Sequence, residues 1–200
     1  MSTQINQSWQ MSGFGLSKLS QVTGKIPEFG LHELLVRTKA VSLNCKDKLI
    51  VDGTLIPDLA FPFVPTSDAV GEVVAVGGAV SRFKVGQRVL GQVIADWPDG
   101  DAPPVLHKHT LGSSLPGMLS DYVVFGEDAA VLAPPSLSDI EAATLPIAAL
   151  TAWFALVDCG CGLCPSECDT SVCQDFGTDT TCLDCLTANC TTELDTCSFN

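Results

Sequence analysis

Positive charge is scarce in this sequence. Ten Lys and Arg stand against 23 Asp and Glu, a formal balance of −13. A surface of that sign repels phosphate, which excludes nucleic acid and anionic membrane as main partners. Long apolar runs are missing too: none approaches the roughly 18 residues that a membrane span needs. The opening Met1-Ser2-Thr3-Gln4-Ile5-Asn6-Gln7-Ser8 has neither a basic patch nor an apolar stretch, so the expectation is a cytoplasmic chain without a secretory signal. Apolar residues, by contrast, are plentiful. They make up 46% of the chain against 16% charged, enough for a packed core and too many for a disordered chain.

The averages hide a break. Residues 1–157 carry all ten basic residues, fifteen acids and one cysteine, Cys45, whereas residues 158–200 carry no Lys or Arg, eight acids, eight threonines and nine cysteines. The few other apolar residues of that tail, Leu163, Val172, Phe176, Leu183, Leu186, Ala188, Leu194 and Phe199 among them, follow neither a period of 2 nor one of 3.6, so no strand or helix is expected there.

The first part reads as β-rich. Leu34–Val41, Asp68–Val76, Val85–Ile94 and Leu119–Phe125 are β-branched or alternating runs bounded by Gly and Pro, the pattern of short strands. Gly71 and Gly91 inside such runs mark bulges, corners or close backbone approach, and Gly77-Gly78 marks a turn. Asp96–Pro116, rich in Pro, Gly and His, reads as a surface excursion. The expected fold class is mainly β with some α, a small closed or half-closed β-barrel. Helical period appears only late: Ser138 and Glu141 have capping-box spacing, and Pro146 suits the first turn of an apolar helix, Ile147–Leu156. A helix apolar on nearly every side is expected to be buried between two layers.

Four ordered blocks then carry a family resemblance. Ser42-Leu43-Asn44-Cys45-Lys46-Asp47, Pro62 to Gly77 (PFVPTSDAVGEVVAVG), Phe83-Lys84-Val85-Gly86-Gln87-Arg88-Val89, and Ala142 to Trp153 (AATLPIAALTAW) resemble the medium-chain dehydrogenase/reductase superfamily, closest to its zinc-independent branch of quinone reductases and alcohol dehydrogenase-like reductases. The resemblance implies a GroES-like substrate domain, a partly open β-barrel, over residues 9–133 and connecting helices over 134–157. It implies hydride transfer between NADP or NAD and a carbonyl, quinone or activated alkene, with a small molecule as the partner. It places Asn44, Cys45 and Thr151 at the nicotinamide end of the cleft. Zinc-dependent members hold the metal with Cys, His and Cys, where this sequence has Asn44, Ser67 and Ile147. An amide, a hydroxyl and an alkyl group do not ligate zinc, so no metal is expected there.

Each candidate also has a plainer reading. Cys45, as a lone thiol, reads equally as a small buried hydrophobe. Thr151 could cap its own helix carbonyl. Asp47 and Asp68 fit a turn or cap as well as a catalytic role, and His107-x-His109 reads as two solvated side chains in a Pro-rich loop.

In the family a Rossmann domain follows the Thr-Ala-Trp helix. Residues 158–200 contain no apolar strand followed by a glycine turn, and a dinucleotide cradle requires both. The Rossmann domain is therefore expected to be missing, with neither NADP nor NAD bound tightly by these 200 residues. Three readings of the tail stay open. Cys161-x-x-Cys164 and Cys182-x-x-Cys185 have the spacing of a four-cysteine zinc site, which would make the protein a non-catalytic metal-binding chain. A disulfide-stapled module is the second, although nine cysteines leave one unpaired. The third, and the preferred one, is an aberrant continuation from a frameshift, a retained intron or a gene-model error. Without a Rossmann cover, the helix over residues 147–156 is expected to drive self-association.

Overall fold

A computed structural model of the chain describes residues 5–95, 97 and 108–153. It divides into two compact units, Met1–Ile147 and Ala148–Asn200. The tail over residues 158–200, with both Cys-x-x-Cys pairs, lies outside the described residues, as does His107.

The first unit is built on seven strands: β1 (Ile5–Met11), β2 (Leu19–Lys25), β3 (Glu33–Ser42), β4 (Asp68–Val76), β5 (Arg88–Gly91), β6 (Tyr122–Gly126) and β7 (Ala130–Leu132). Two short helices accompany them, α1 (Cys45–Val51) and α2 (Asp139–Ala143). Five strands form an antiparallel sheet in the order β6-β3-β4-β5-β7, and β1 and β2 form a separate hairpin. The sheet has to curl. Its edge strands β6 and β7 are joined by only Glu127–Ala129, a link that reaches about 14 Å fully extended. Five strands laid flat would set the edges about 19 Å apart. The result is a half-barrel, open between its edges, as the sequence led one to expect.

Alternation along the strands fills the concave side. Leu34, Val36, Val73, Phe83, Val89, Leu111, Met118, Val123 and Phe125 form its core. Gly71 is required at the centre, since a Cβ there would lie 2.4 Å from Val36 Cγ1 and 2.7 Å from the Arg37 carbonyl. The β3–β4 register slips beside it, between Thr38 and Ala40. On the convex side, Ala142 and Ala143 of α2 pack on Val70 and Leu90. The Arg88 guanidinium fixes that helix from below, donating to Asp139 Oδ1 at 2.9 Å and to the Leu137 carbonyl at 3.0 Å. Ser138 and Glu141 form the expected capping box, with Ser138 N donating to Glu141 Oε2 at 2.9 Å.

Several elements differ from the sequence expectation. Helix does not begin late: α1 stands between β3 and β4. The hairpin β1–β2 had no clear signal, because β2 is exposed along almost its whole length and so shows no apolar alternation. The stretch read as a surface excursion, Asp96–Pro116, turns inward before its end and buries Leu111 in the core. After a π-helical turn, Leu145–Ala149, the chain is helical to Trp153, but this part is not buried: Leu150 and Trp153 are each 51% exposed.

Candidate functional site

The site begins where β3 hands over to α1. Asn44 is the N-cap of α1 in extended geometry, φ −120°, ψ 159°. Asp47 Oδ2 accepts from the Asn44 backbone N–H at 2.8 Å, and the Asp47 N–H returns to the Asn44 carbonyl at 3.0 Å. This reciprocal cap satisfies donors that a helix start leaves free. The far end is anchored by Ile50 and Val51, which pack with Met11 and Phe63. On the solvent side Lys48 pairs with Asp52 one turn on. Asn44, Cys45 and Lys46 are thereby held at the head of a short, rigid element.

The second wall is the entry to β4. Thr66 takes a left-handed backbone, φ 72°, which for a β-branched residue costs on the order of 1–3 kcal/mol. The segment behind enforces it: Gly112, itself at φ +69°, lies so close that a Cβ would sit 2.3 Å from the Thr66 carbonyl. The bend turns Ser67 and Asp68 inward, and both are fully buried. Ser67 Oγ donates to Asp68 Oδ1 at 2.8 Å, and the Ile147 N–H donates to Asp68 Oδ2 at 2.9 Å.

Asp68 therefore ties together the three positions that zinc enzymes of the resembling family use for the metal. Ser67 and Ile147 are bonded to it directly. Asn44 Nδ2, buried and without a partner in hydrogen-bond range, is near enough to favour its ionised form. Burial nonetheless raises the Asp68 carboxyl above its ordinary value, against the Ser67 hydrogen bond, the nearby Asn44 amide, the Ile147 N–H and the charge of Lys46. Burial raises Asp47 as well, helped by the Asp68 charge and opposed by the Asn44 N–H and Lys46. Lys46 is displaced the other way: burial lowers it, and the Asp47 and Asp68 charges oppose that fall.

Two of the three expected site residues, Asn44 and Cys45, are neighbours at the head of α1. Thr151 lies in the second unit, in the helical residues 150–153, and is exposed. Cys45 is exposed, which overturns its reading as a small buried hydrophobe. Asp47 is the cap that the plainer reading allowed, and Asp68 is a hydrogen-bond hub. Sequence reasoning missed Lys46 and the strained Thr66. The spacing of Asn44 and Asp47, the same as that of Ser138 and Glu141, was the available signal for α1. Among the described residues, no three His, Cys, Asp or Glu are grouped as metal ligands would be. The donor set where family zinc would sit is an amide, a hydroxyl already donating to a carboxylate, and a backbone N–H; it does not suit zinc.

Residues 30–135, more than half of the chain, match the alcohol dehydrogenase GroES-like domain family. The chain belongs to that family. Its relatives are medium-chain oxidoreductases. It is 36% identical over 160 residues to a chloroplastic quinone-oxidoreductase homolog of Spinacia oleracea, covering 78% of this chain and 43% of that protein. It is 39% identical over 148 residues to a zinc-type alcohol dehydrogenase-like protein of Schizosaccharomyces pombe, covering 74% and 42%. A crystal structure of a candidate alcohol dehydrogenase from Sinorhizobium meliloti superposes with a TM-score of 0.72 at 46% identity, over 79% of this chain and 47% of that one. The chain thus spans less than half the length of the proteins it matches. The medium-chain family to which this GroES-like domain belongs includes NAD-dependent dehydrogenases.

Proposed function

We propose that this chain forms the substrate side of a zinc-independent NAD(P)H-dependent reductase acting on a carbonyl, quinone or activated alkene. The observation that carries the reading is the Asp68 hub: a carboxylate accepts from Ser67 and the Ile147 N–H, with the Asn44 amide beside it, where zinc relatives engage the metal. In this reading a bound dinucleotide supplies the hydride. Asn44, with its buried Nδ2, and the exposed Cys45 line the nicotinamide end. A groove of about 690 Å³ in the first unit is within the usual range for a small-molecule site. Leu55, Ile56, Leu59 and Phe63 line it, with Lys108 and Ser113 at its polar side. It orients the acceptor by apolar contact, which lowers the barrier by removing unproductive poses. Residues 158–200 supply no glycine cradle, so the 200-residue chain by itself binds neither NADP nor NAD tightly and turns over little. Its compartment is the cytoplasm; among the described residues no helix is long and apolar enough to cross a membrane.

The test has two parts. NADPH is titrated into the 200-residue chain and followed by fluorescence; no saturation in the micromolar range is expected, and micromolar binding contradicts the account. Native mass spectrometry of the cysteine-alkylated chain after exposure to zinc is expected to show no bound metal. One zinc per chain would return the metal to the site around Asn44 and Ser67.

A further inference from the structure

The hairpin β1–β2 has an edge that no strand among the described residues covers. Gln7, Trp9 and Met11 turn their main-chain groups away from β2. Trp9 N donates to the Leu119 carbonyl at 2.9 Å, Asp121 N donates to the Gln7 carbonyl at 2.8 Å, and Met11 exchanges bonds with Phe63. In an antiparallel ladder the alternate residues then face the neighbouring strand. Asn6, Ser8 and Gln10 thus exchange with their partners Gly24, Val22 and Ser20. Gln21, Thr23 and Lys25 are left with N–H and C=O groups directed outward. The Leu19 N–H already donates to the Leu16 carbonyl, which leaves the Leu19 carbonyl open.

Such an edge is a template for another strand, and proteins blunt it with proline, bulges, charge or shortness. Strand β7, at an edge of the main sheet, has three residues. Strand β2 has seven, without proline or bulge, with a single charge at its end, and is exposed from Ser20 to Lys25.

What fits this edge is a second copy of itself. With Val22 on a two-fold axis, Gln21 stands opposite Thr23 of the second copy, and these two outward residues exchange both bonds. The Lys25 N–H meets the open Leu19 carbonyl. Moving the axis to Thr23 sets Leu19 against Pro27, which has no N–H. Moving it to Gln21 sets Lys25 against Ser17, inside a 3-10 turn. Charge agrees with the Val22 register. Two chains of −13 repel each other, yet residues 1–27 contain no Asp or Glu. The two Lys25 residues end about 20 Å apart along the strands, beyond the screening length of about 8 Å.

We propose that β2 is a self-recognition edge, pairing antiparallel with β2 of a second copy in the register centred on Val22. Two strands of seven residues bury less than the about 1,200 Å² of a stable interface. The pairing is therefore weak, absent at micromolar concentration and growing toward millimolar. It leaves both hairpins intact and does not depend on the reductase reading.

Amide hydrogen exchange tests this, read residue by residue by mass spectrometry with electron-transfer fragmentation, at low micromolar and near-millimolar protein. The full chain carries Leu150→Asp and Trp153→Ser, which keeps the exposed helical residues out of the result. At the higher concentration the Gln21, Thr23 and Lys25 N–H groups are expected to slow several-fold. Those of Ser20, Val22 and Gly24, bonded to β1 throughout, are expected not to change. Thr23→Pro removes an outward N–H and no bond within the hairpin, and is expected to abolish the effect at Gln21 and Lys25. Val22→Lys, which sets like charges face to face on the axis, is expected to do the same. Protection at Ser20 and Gly24 shows that the hairpin stays folded in either variant. Exchange independent of concentration, slowing that does not alternate, or slowing that survives both variants overturns the proposal. Slow exchange of Gln21 and Thr23 already at low concentration means that the edge is covered within one chain, which also overturns it.

Discussion

At Asp68, one buried carboxylate does two things with opposite electrostatic signs. It accepts hydrogen bonds that favour its charge, and it sits where burial disfavours that charge more strongly. A carboxyl raised in the folded state binds its proton more tightly there than in the unfolded chain. Its contribution is therefore present at low pH and is lost as pH rises from the ordinary value of 3.8 through the raised one. The Asp68→Asn chain lacks this loss. Its melting temperature relative to the parent is predicted to climb as pH rises from about 4 to 8, read by calorimetry; a difference that falls over that window contradicts the assignment. Glu127 shows the reverse. The Arg82 and Ser81 N–H groups, at 2.9 and 3.0 Å, hold it below its ordinary value, so its contribution is lost on the acid side. The residues of the site were partly legible in the sequence. Asn44, Ser67 and Ile147 could be named from the family resemblance, but the way Asp68 joins them could not. That join depends on a backbone bend at Thr66, and a threonine carries no sign that it will be forced to positive φ.

At the scale of elements, what was legible follows from how much of each element is packed. Strand β4 appeared at its true limits, Asp68–Val76, because it is central and its neighbours on both sides enforce its pattern. Strand β2 stayed hidden because solvent reaches most of both its faces, and β1 because its inward positions Asn6, Ser8 and Gln10 are polar, so its burial alternates without an apolar alternation. Helix α1 has seven residues, fewer than two turns of periodicity, so only its cap could have announced it. The α2 cap was announced in that way. Ser138→Ala removes the acceptor for the Glu141 N–H and the donor to its carboxylate. It is predicted to cost about 1 kcal/mol, measured by urea unfolding. A loss well below that would show that Arg88, through Asp139 and Leu137, holds the helix start without the cap.

At the scale of the whole molecule, the chain has a packed half-barrel and a short helical run that presents Leu150 and Trp153 to solvent. Exposed apolar side chains in sequence mark an interface, and we predict that the 200-residue chain self-associates through residues 147–156. Leu150→Asp with Trp153→Ser is predicted to return it to a monomer in light scattering, while a monodisperse parent would remove the argument. Removing residues 158–200, whose formal charge is −8, is predicted to worsen association by taking away repulsion. The central claim is that the first unit is the acceptor side of a reductase that works without zinc. A chimera tests it most directly, with residues 5–147 replacing the matching part of the spinach quinone-oxidoreductase homolog. The rate of NADPH oxidation with a quinone is measured before and after exhaustive chelation. The account predicts quinone-dependent turnover that chelation leaves unchanged. A folded chimera that binds NADPH yet oxidises none of it with quinone, or one that chelation silences, would contradict the account.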